Sequence, residues 1–135
     1  MRTVSSAEAL EIAGLSRVKF NEIVADGLYP CAPRTEKGVA RVFTRDDLVT
    51  LVAFARALQL GMTSRAAGPL VCLAGTLAAE SAGYRTVHAG ADAAGRDSVY
   101  PNGSPKGHGP RLAAVVFDFD AIRAYVDSKV DWAVA

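Results

Sequence analysis

Apolar residues recur at intervals of three and four along the first half of the chain, and glycine and proline break the pattern at regular places. In "SSAEALEIAG" the apolar face is Ala9, Leu10, Ile12 and Ala13. Ser5 or Ser6 caps its start, Glu8 is placed to close a capping box on Ser5, and Gly14 ends it. "LSRVKFNEIVADG" predicts a second helix over 16–26, capped by Ser16 and stopped by Gly27, with Val18, Phe20, Ile23 and Val24 as its core stripe. "LYPCAPRTEKGVARVF" then interrupts the helical period, and "TEKG" reads as a hairpin tip between two short extended arms. Thr44 caps the next helix, "RDDLVTLVAFARALQLG". Asp46 and Asp47 complement the dipole in its first turn, Leu48, Leu51, Val52, Ala55 and Leu58 line one face, and Gly61 closes it. Ser64 is placed to cap a last helix in this half, which Gly68-Pro69 should kink or delay.

The second half reads differently. Residues 83–110 hold most of the punctuating Gly, Pro, Asn and Asp and read as a loop. After them "LAAVVF" predicts a strand and "DFDAIRAYVDSKV" a helix whose buried face is Phe119, Ile122, Val126 and Val130. "YRTVH" (84–88) is a candidate to pair with the 112–117 strand. Three parts follow: a helical domain over 1–82, a Gly/Pro-rich loop over 83–110, and a strand–helix appendage over 111–135 that packs on the first part or makes a dimer contact. The fold class expected is mainly α with small β.

Totals narrow the function classes. The chain has 135 residues, half of them hydrophobic and about a fifth charged, which suits one ordered domain with an appendage. A net charge of +1 excludes bulk polycation behaviour and leaves local patches open. No apolar run approaches the roughly 18 residues of a spanning helix, and Glu8 and Glu11 interrupt any signal-peptide core. Cys31 and Cys72 stand far apart with no neighbouring thiol and read as two buried or idle thiols of a cytoplasmic protein.

The order of helix, "GLS" turn, helix, basic hairpin, helix, turn, helix resembles a MerR-type winged helix-turn-helix. The segments "AGLSRVKFNEIVADGLYP" and "PRTEKGVARVFTRDDLVTLVAFARALQLGMTSRAAGPLV" carry the resemblance across roughly residues 3–72. Phe20, Asn21 and Glu22 stand where the family usually has Arg and Tyr, and neither its long dimerisation coiled coil nor its metal-sensing cysteines has a counterpart. The resemblance implies sequence-specific binding of double-stranded DNA, as in a transcriptional regulator associated with the nucleoid. The second helix would enter the major groove, with Ser16, Arg17, Lys19 and Asn21 as its polar positions. Arginine suits guanine and asparagine suits adenine. The wing over 31–43 would meet phosphates and the minor groove through Arg34, Lys37 and Arg41, where Arg41 matches the family's wing arginine, and Arg45 would add a contact. Residues 14–45 hold six basic side chains against three acidic ones, a local excess of three. One recognition helix reads few base pairs, so tight binding calls for a homodimer or a protein partner. A phage-type accessory factor for DNA packaging or recombination, such as a terminase small subunit or an excisionase, would use the same helix.

Two chemical alternatives meet the same sequence. "AAVVFDFDAI" resembles the opening motif of haloacid-dehalogenase phosphatases, in which Asp118 would be the nucleophile and Asp120 the general acid. That chemistry needs a Lys, a Ser or Thr and further acids downstream, and after Asp120 only Lys129 is offered. Asp118 reads instead as a helix cap and Asp120 as a first-turn acid. His88 and His108 lack third and fourth ligands at metal spacing, and "NGSPKGHG" lacks a phosphate-loop ending. No enzyme activity, cofactor or metal is expected, and no membrane partner.

Overall fold

Three glycine-terminated helices build the first half, and their ends share one geometry. α1 (Ser6–Ala13) starts where the Ser5 hydroxyl accepts from the Glu8 N–H at 3.1 Å. It stops at Gly14, whose φ of 77° is open to glycine at little cost, and the Leu15 N–H then reaches back to the Leu10 carbonyl at 2.9 Å. α2 (Arg17–Ala25) and α3 (Arg45–Gln59) close in the same way, through Leu28 N–H to Ile23 at 3.0 Å and Met62 N–H to Ala57 at 3.2 Å. This computed structural model describes residues 2–80, 85–91, 94–101 and 114–133.

α3 is the centre of the molecule. Thr44 and Asp47 exchange side-chain and backbone hydrogen bonds in a full capping box at 3.2 and 3.0 Å. The pattern of its apolar residues predicts one buried face, but Leu48 to Ala55 are buried without a break, and Ala57 with them, while Leu58 is only half-buried. The reason is tertiary: α1 packs on one side, α4 (Ser64–Glu80) on another and α5 (Phe119–Lys129) on a third.

α4 corrects two expectations. Its cap is Thr63, whose hydroxyl accepts from the Ala66 N–H at 3.2 Å, rather than Ser64. The helix runs without a break from Ser64 through Pro69 to Glu80, so the proline does not delay it, although at the sixth helical position it forgoes the bond to the Arg65 carbonyl. Gly68 and Gly75 are needed for contact. A Cβ on Gly68 would fall 1.6 Å from the Leu28 carbonyl oxygen, and one on Gly75 would fall 2.2 Å from Thr50 Oγ1.

The reading of two idle thiols is also corrected. Cys31 and Cys72 form a disulfide with their Cα atoms 5.6 Å apart, tying the segment after α2 to the middle of α4. Their sequence separation is 41, and the packing of the 28–32 segment on α4 brings them together. The cysteines therefore lend no weight to a reducing compartment.

Two small antiparallel sheets complete the fold, which is mainly α with small β. β1 (Val4–Ser5) pairs with β2 (Val42–Phe43), placing Val4 opposite Phe43. β3 (Thr86–Ala91) lies between β4 (Asp97–Pro101) and β5 (Val115–Asp118). β3 pairs with β5 as "YRTVH" suggested, Val87 opposite Phe117. The hairpin of β3 and β4 falls inside the segment read as a loop, a difference traceable to the alternating Val87 and Ala89, which join the core with Val99 against them, on strands that pack on α4.

α5 holds these parts to each other. Asp118 caps it through the Ala121 N–H at 3.0 Å, and Phe119 and Val126 are fully buried. The Tyr125 hydroxyl donates to the Ile12 carbonyl at 3.0 Å, Arg123 donates to the Ala78 carbonyl at 3.1 Å, and Asp127 receives both arms of Arg45. Phe117, Phe119, Val126 and Val130 join the same continuous core as Phe20, Phe43 and Phe54. Among the described residues no helix is long and apolar enough to cross a membrane.

Candidate nucleic-acid interface

α2 owes its seat to two side chains. Phe20 and Ile23 are buried, and the Phe20 ring lies 5.6 Å from Tyr29 and 6.5 Å from Phe43, so α2 is wedged between the following loop and β2. Tyr29 packs beneath this unit against Phe54 at 4.7 Å, and burial pushes its hydroxyl pKa far up. Val18, expected in the core, is 70% exposed. Helical geometry accounts for this: two residues advance about 200°, so an inward Phe20 turns Val18 outward.

The outer face of α2 carries Arg17, Val18, Lys19, Asn21 and Glu22, all exposed. Ser16 is occupied at the cap, where its hydroxyl accepts from the Lys19 N–H at 3.3 Å. Acids occupy the first turn of α1 (Glu8), α3 (Asp46 and Asp47) and α5 (Asp120), offsetting the positive end of the helix dipole. α2 and α4 have no acid there; α2 carries Arg17 and Lys19, and α4 carries Arg65. Positive side chains over a positive helix end disfavour the helix by a few tenths of a kcal/mol to about 1 kcal/mol, and favour an anion from outside.

The 31–43 segment departs from the expected hairpin. A turn forms at its tip, with the Val39 N–H donating to the Glu36 carbonyl at 2.9 Å and Gly38 at φ 82°. Its arms form no ladder with each other, since the strand residues Val42 and Phe43 pair with β1 instead. The arms are joined by Arg41, whose guanidinium donates to the Pro33 carbonyl. Arg34 and Lys37 are exposed on this loop.

Two of the expected phosphate contacts are thus already engaged. Arg41 ties the loop, and Arg45 pairs bidentately with Asp127 at 2.7 and 2.8 Å. The hydrogen bond from Arg45 holds the Asp127 carboxyl below the usual aspartate range, and the same bond raises Arg45. Among the described residues no ion pair engages Arg17, Lys19, Arg34 or Lys37. What the sequence reading missed is the apolar component: Val18, Val39 and Val42 are exposed at 70%, 60% and 49% within the same stretch. For Val18 the helical period relative to Phe20 already carried that signal.

The other candidate chemistry resolves into structural contacts. Asp118 is the cap of α5, and Asp120 pairs with Arg85 at 2.8 Å and Arg123 at 3.7 Å. His88 lies against the Tyr100 ring at 5.2 Å, and among the described residues no cluster of three His, Cys, Asp or Glu could hold a metal. His108 and "NGSPKGHG" lie outside the described residues. No protein-family model matches the chain, and no curated protein is similar to it in sequence.

Proposed function

We propose that this chain is a sequence-specific double-stranded-DNA-binding protein, a transcriptional regulator of MerR-type winged-helix design, acting without chemistry of its own. The observation that carries the reading is the exposed N-terminal end of α2, where Arg17 and Lys19 add to the helix dipole with no acid in the first turn. Such an end meets polyanionic phosphate, and its neighbouring Asn21 has the donor–acceptor pair that recognises adenine. The 31–43 loop supports the reading as well, because Phe43 at its end packs on Phe20 of α2 and the loop itself exposes Arg34 and Lys37. In this reading α2 lies in the major groove, the loop follows the backbone into the minor groove, and a second copy or a partner protein extends the site.

A band-shift titration of the purified chain on the DNA upstream of its own gene tests this. The expected result is a saturable complex that competitor DNA of unrelated sequence removes poorly, weakened when Arg17→Ala and Lys19→Ala are combined. Both positions are exposed, so circular dichroism should show an unchanged fold in the variant. Equal affinity of wild type and the double variant would overturn the assignment of this surface.

A further inference from the structure

Val18 is the one large apolar residue on the outward face of α2. It sits at the second position of the helix and is 70% exposed, though Phe20 and Ile23 of the same helix are buried. At about 100° per residue, the inward Phe20 and Ile23 leave Val18 near the middle of the outward face. Arg17 and Lys19 then flank it on either side, and Asn21 and Glu22 lie one turn on. An aliphatic side chain ringed by polar groups gains most by covering another apolar group of similar size. On the major-groove edges of unmodified DNA the only such group is the C5 methyl of thymine.

We propose that Val18 is a specificity residue that selects thymine in the bound site by packing on its C5 methyl. The inference rests on the DNA-binding reading above and names what the centre of α2 reads. The flanking cations hold the helix against the backbone, and Val18 then meets the base edge. Removing one methyl from such a contact costs the transfer of about one carbon, which corresponds to roughly a four-fold loss of affinity.

The test uses the full chain and duplexes enriched from a random-sequence library. Each thymine of the best duplex is replaced singly by deoxyuridine, which removes only the methyl, and affinities are measured by fluorescence anisotropy at fixed salt for wild type and Val18→Ala. At one position deoxyuridine should weaken wild type roughly four-fold and leave Val18→Ala unaffected, with the salt dependence of both proteins the same. A second arm replaces cytosines with 5-methylcytosine. A gain there, with no effect of deoxyuridine, would put the methyl on cytosine and overturn the thymine assignment. Enrichment of a site with no Val18-dependent methyl effect would overturn this inference alone. Failure to enrich any duplex would overturn the DNA-binding reading and this inference together.

Discussion

Breaking the Cys31–Cys72 bond should remove a large share of the stability of this chain. The bond closes a loop spanning a sequence separation of 41 residues. In the chain-entropy description the cross-link removes about 2.1 + 1.5R ln n cal/mol/K from the unfolded state, or about 4 kcal/mol at 25 °C for a loop of this length. Domains of this size have a total stability of roughly 5–15 kcal/mol. The assay is urea denaturation with and without a dithiol reductant, run on wild type and on the Cys31→Ala/Cys72→Ala double variant. With a slope near 2 kcal/mol/M, the wild-type midpoint should fall by about 2 M on reduction. Alanine is the appropriate replacement at Cys72, which is buried, because serine would bring an unpaired hydroxyl into the core. The double variant should unfold near the reduced wild type and ignore the reductant. Thiol reductants of a cytoplasm act on such bonds, so the reduced chain merits the same DNA-binding assays as the oxidised one. A wild-type midpoint unmoved by reductant, or a thiol titration in urea without reductant that finds both cysteines free, would refute this role for the bond.

Two further outcomes follow from contacts that hold the helices together. Gly68→Ala should destabilise more than Gly75→Ala, because its Cβ would meet the backbone oxygen of Leu28, whereas at Gly75 it meets the Thr50 side chain. Overpacking of this kind costs about 1–3 kcal/mol at Gly75, and thermal denaturation of Gly75→Ala with and without Thr50→Ala should show the second substitution recovering part of the loss. Asp127→Asn should cost about 0.5–1 kcal/mol, in line with a partly exposed ion pair. Because the folded-state pKa of Asp127 is depressed, that contribution is complete above the ordinary aspartate range and is lost as pH falls through the lowered value. The wild-type advantage over Asp127→Asn, measured by urea denaturation, should therefore shrink below about pH 4.

The helices were legible from the sequence because their signals are local. Ser5, Ser16 and Thr44 cap, Gly14, Gly27 and Gly61 terminate, and Asp118 is a cap, all functions of residues within one turn. What escaped is set by distant partners. The burial of α3 on nearly all sides depends on α5 and α4, the disulfide depends on how the 28–32 segment meets α4, and β2 takes β1 as its partner. Val18 shows the middle case. Apolar character alone places it in the core, whereas its angle from Phe20 turns it outward.

The same distinction decides which basic residues are available to a polyanion. Counted from sequence, Arg17, Lys19, Arg34, Lys37, Arg41 and Arg45 are six candidate phosphate contacts. Tertiary structure engages Arg41 with the Pro33 carbonyl and Arg45 with Asp127, which leaves four with neither an ion pair nor a side-chain hydrogen bond among the described residues. Each neutralised phosphate contributes roughly −0.9 to the slope of log affinity against log salt on duplex DNA. A protomer using all four should therefore show a slope of about −3.6 rather than the −5.4 or so that six would give. Arg17→Ala, Lys19→Ala, Arg34→Ala and Lys37→Ala should each reduce the slope by about one unit. Arg45→Ala should leave the slope unchanged while lowering the stability of the free protein, because its partner is a carboxylate of α5. A unit change of slope in Arg45→Ala would mean that the pair with Asp127 opens on DNA, and the division of these six side chains between frame and interface would then fail.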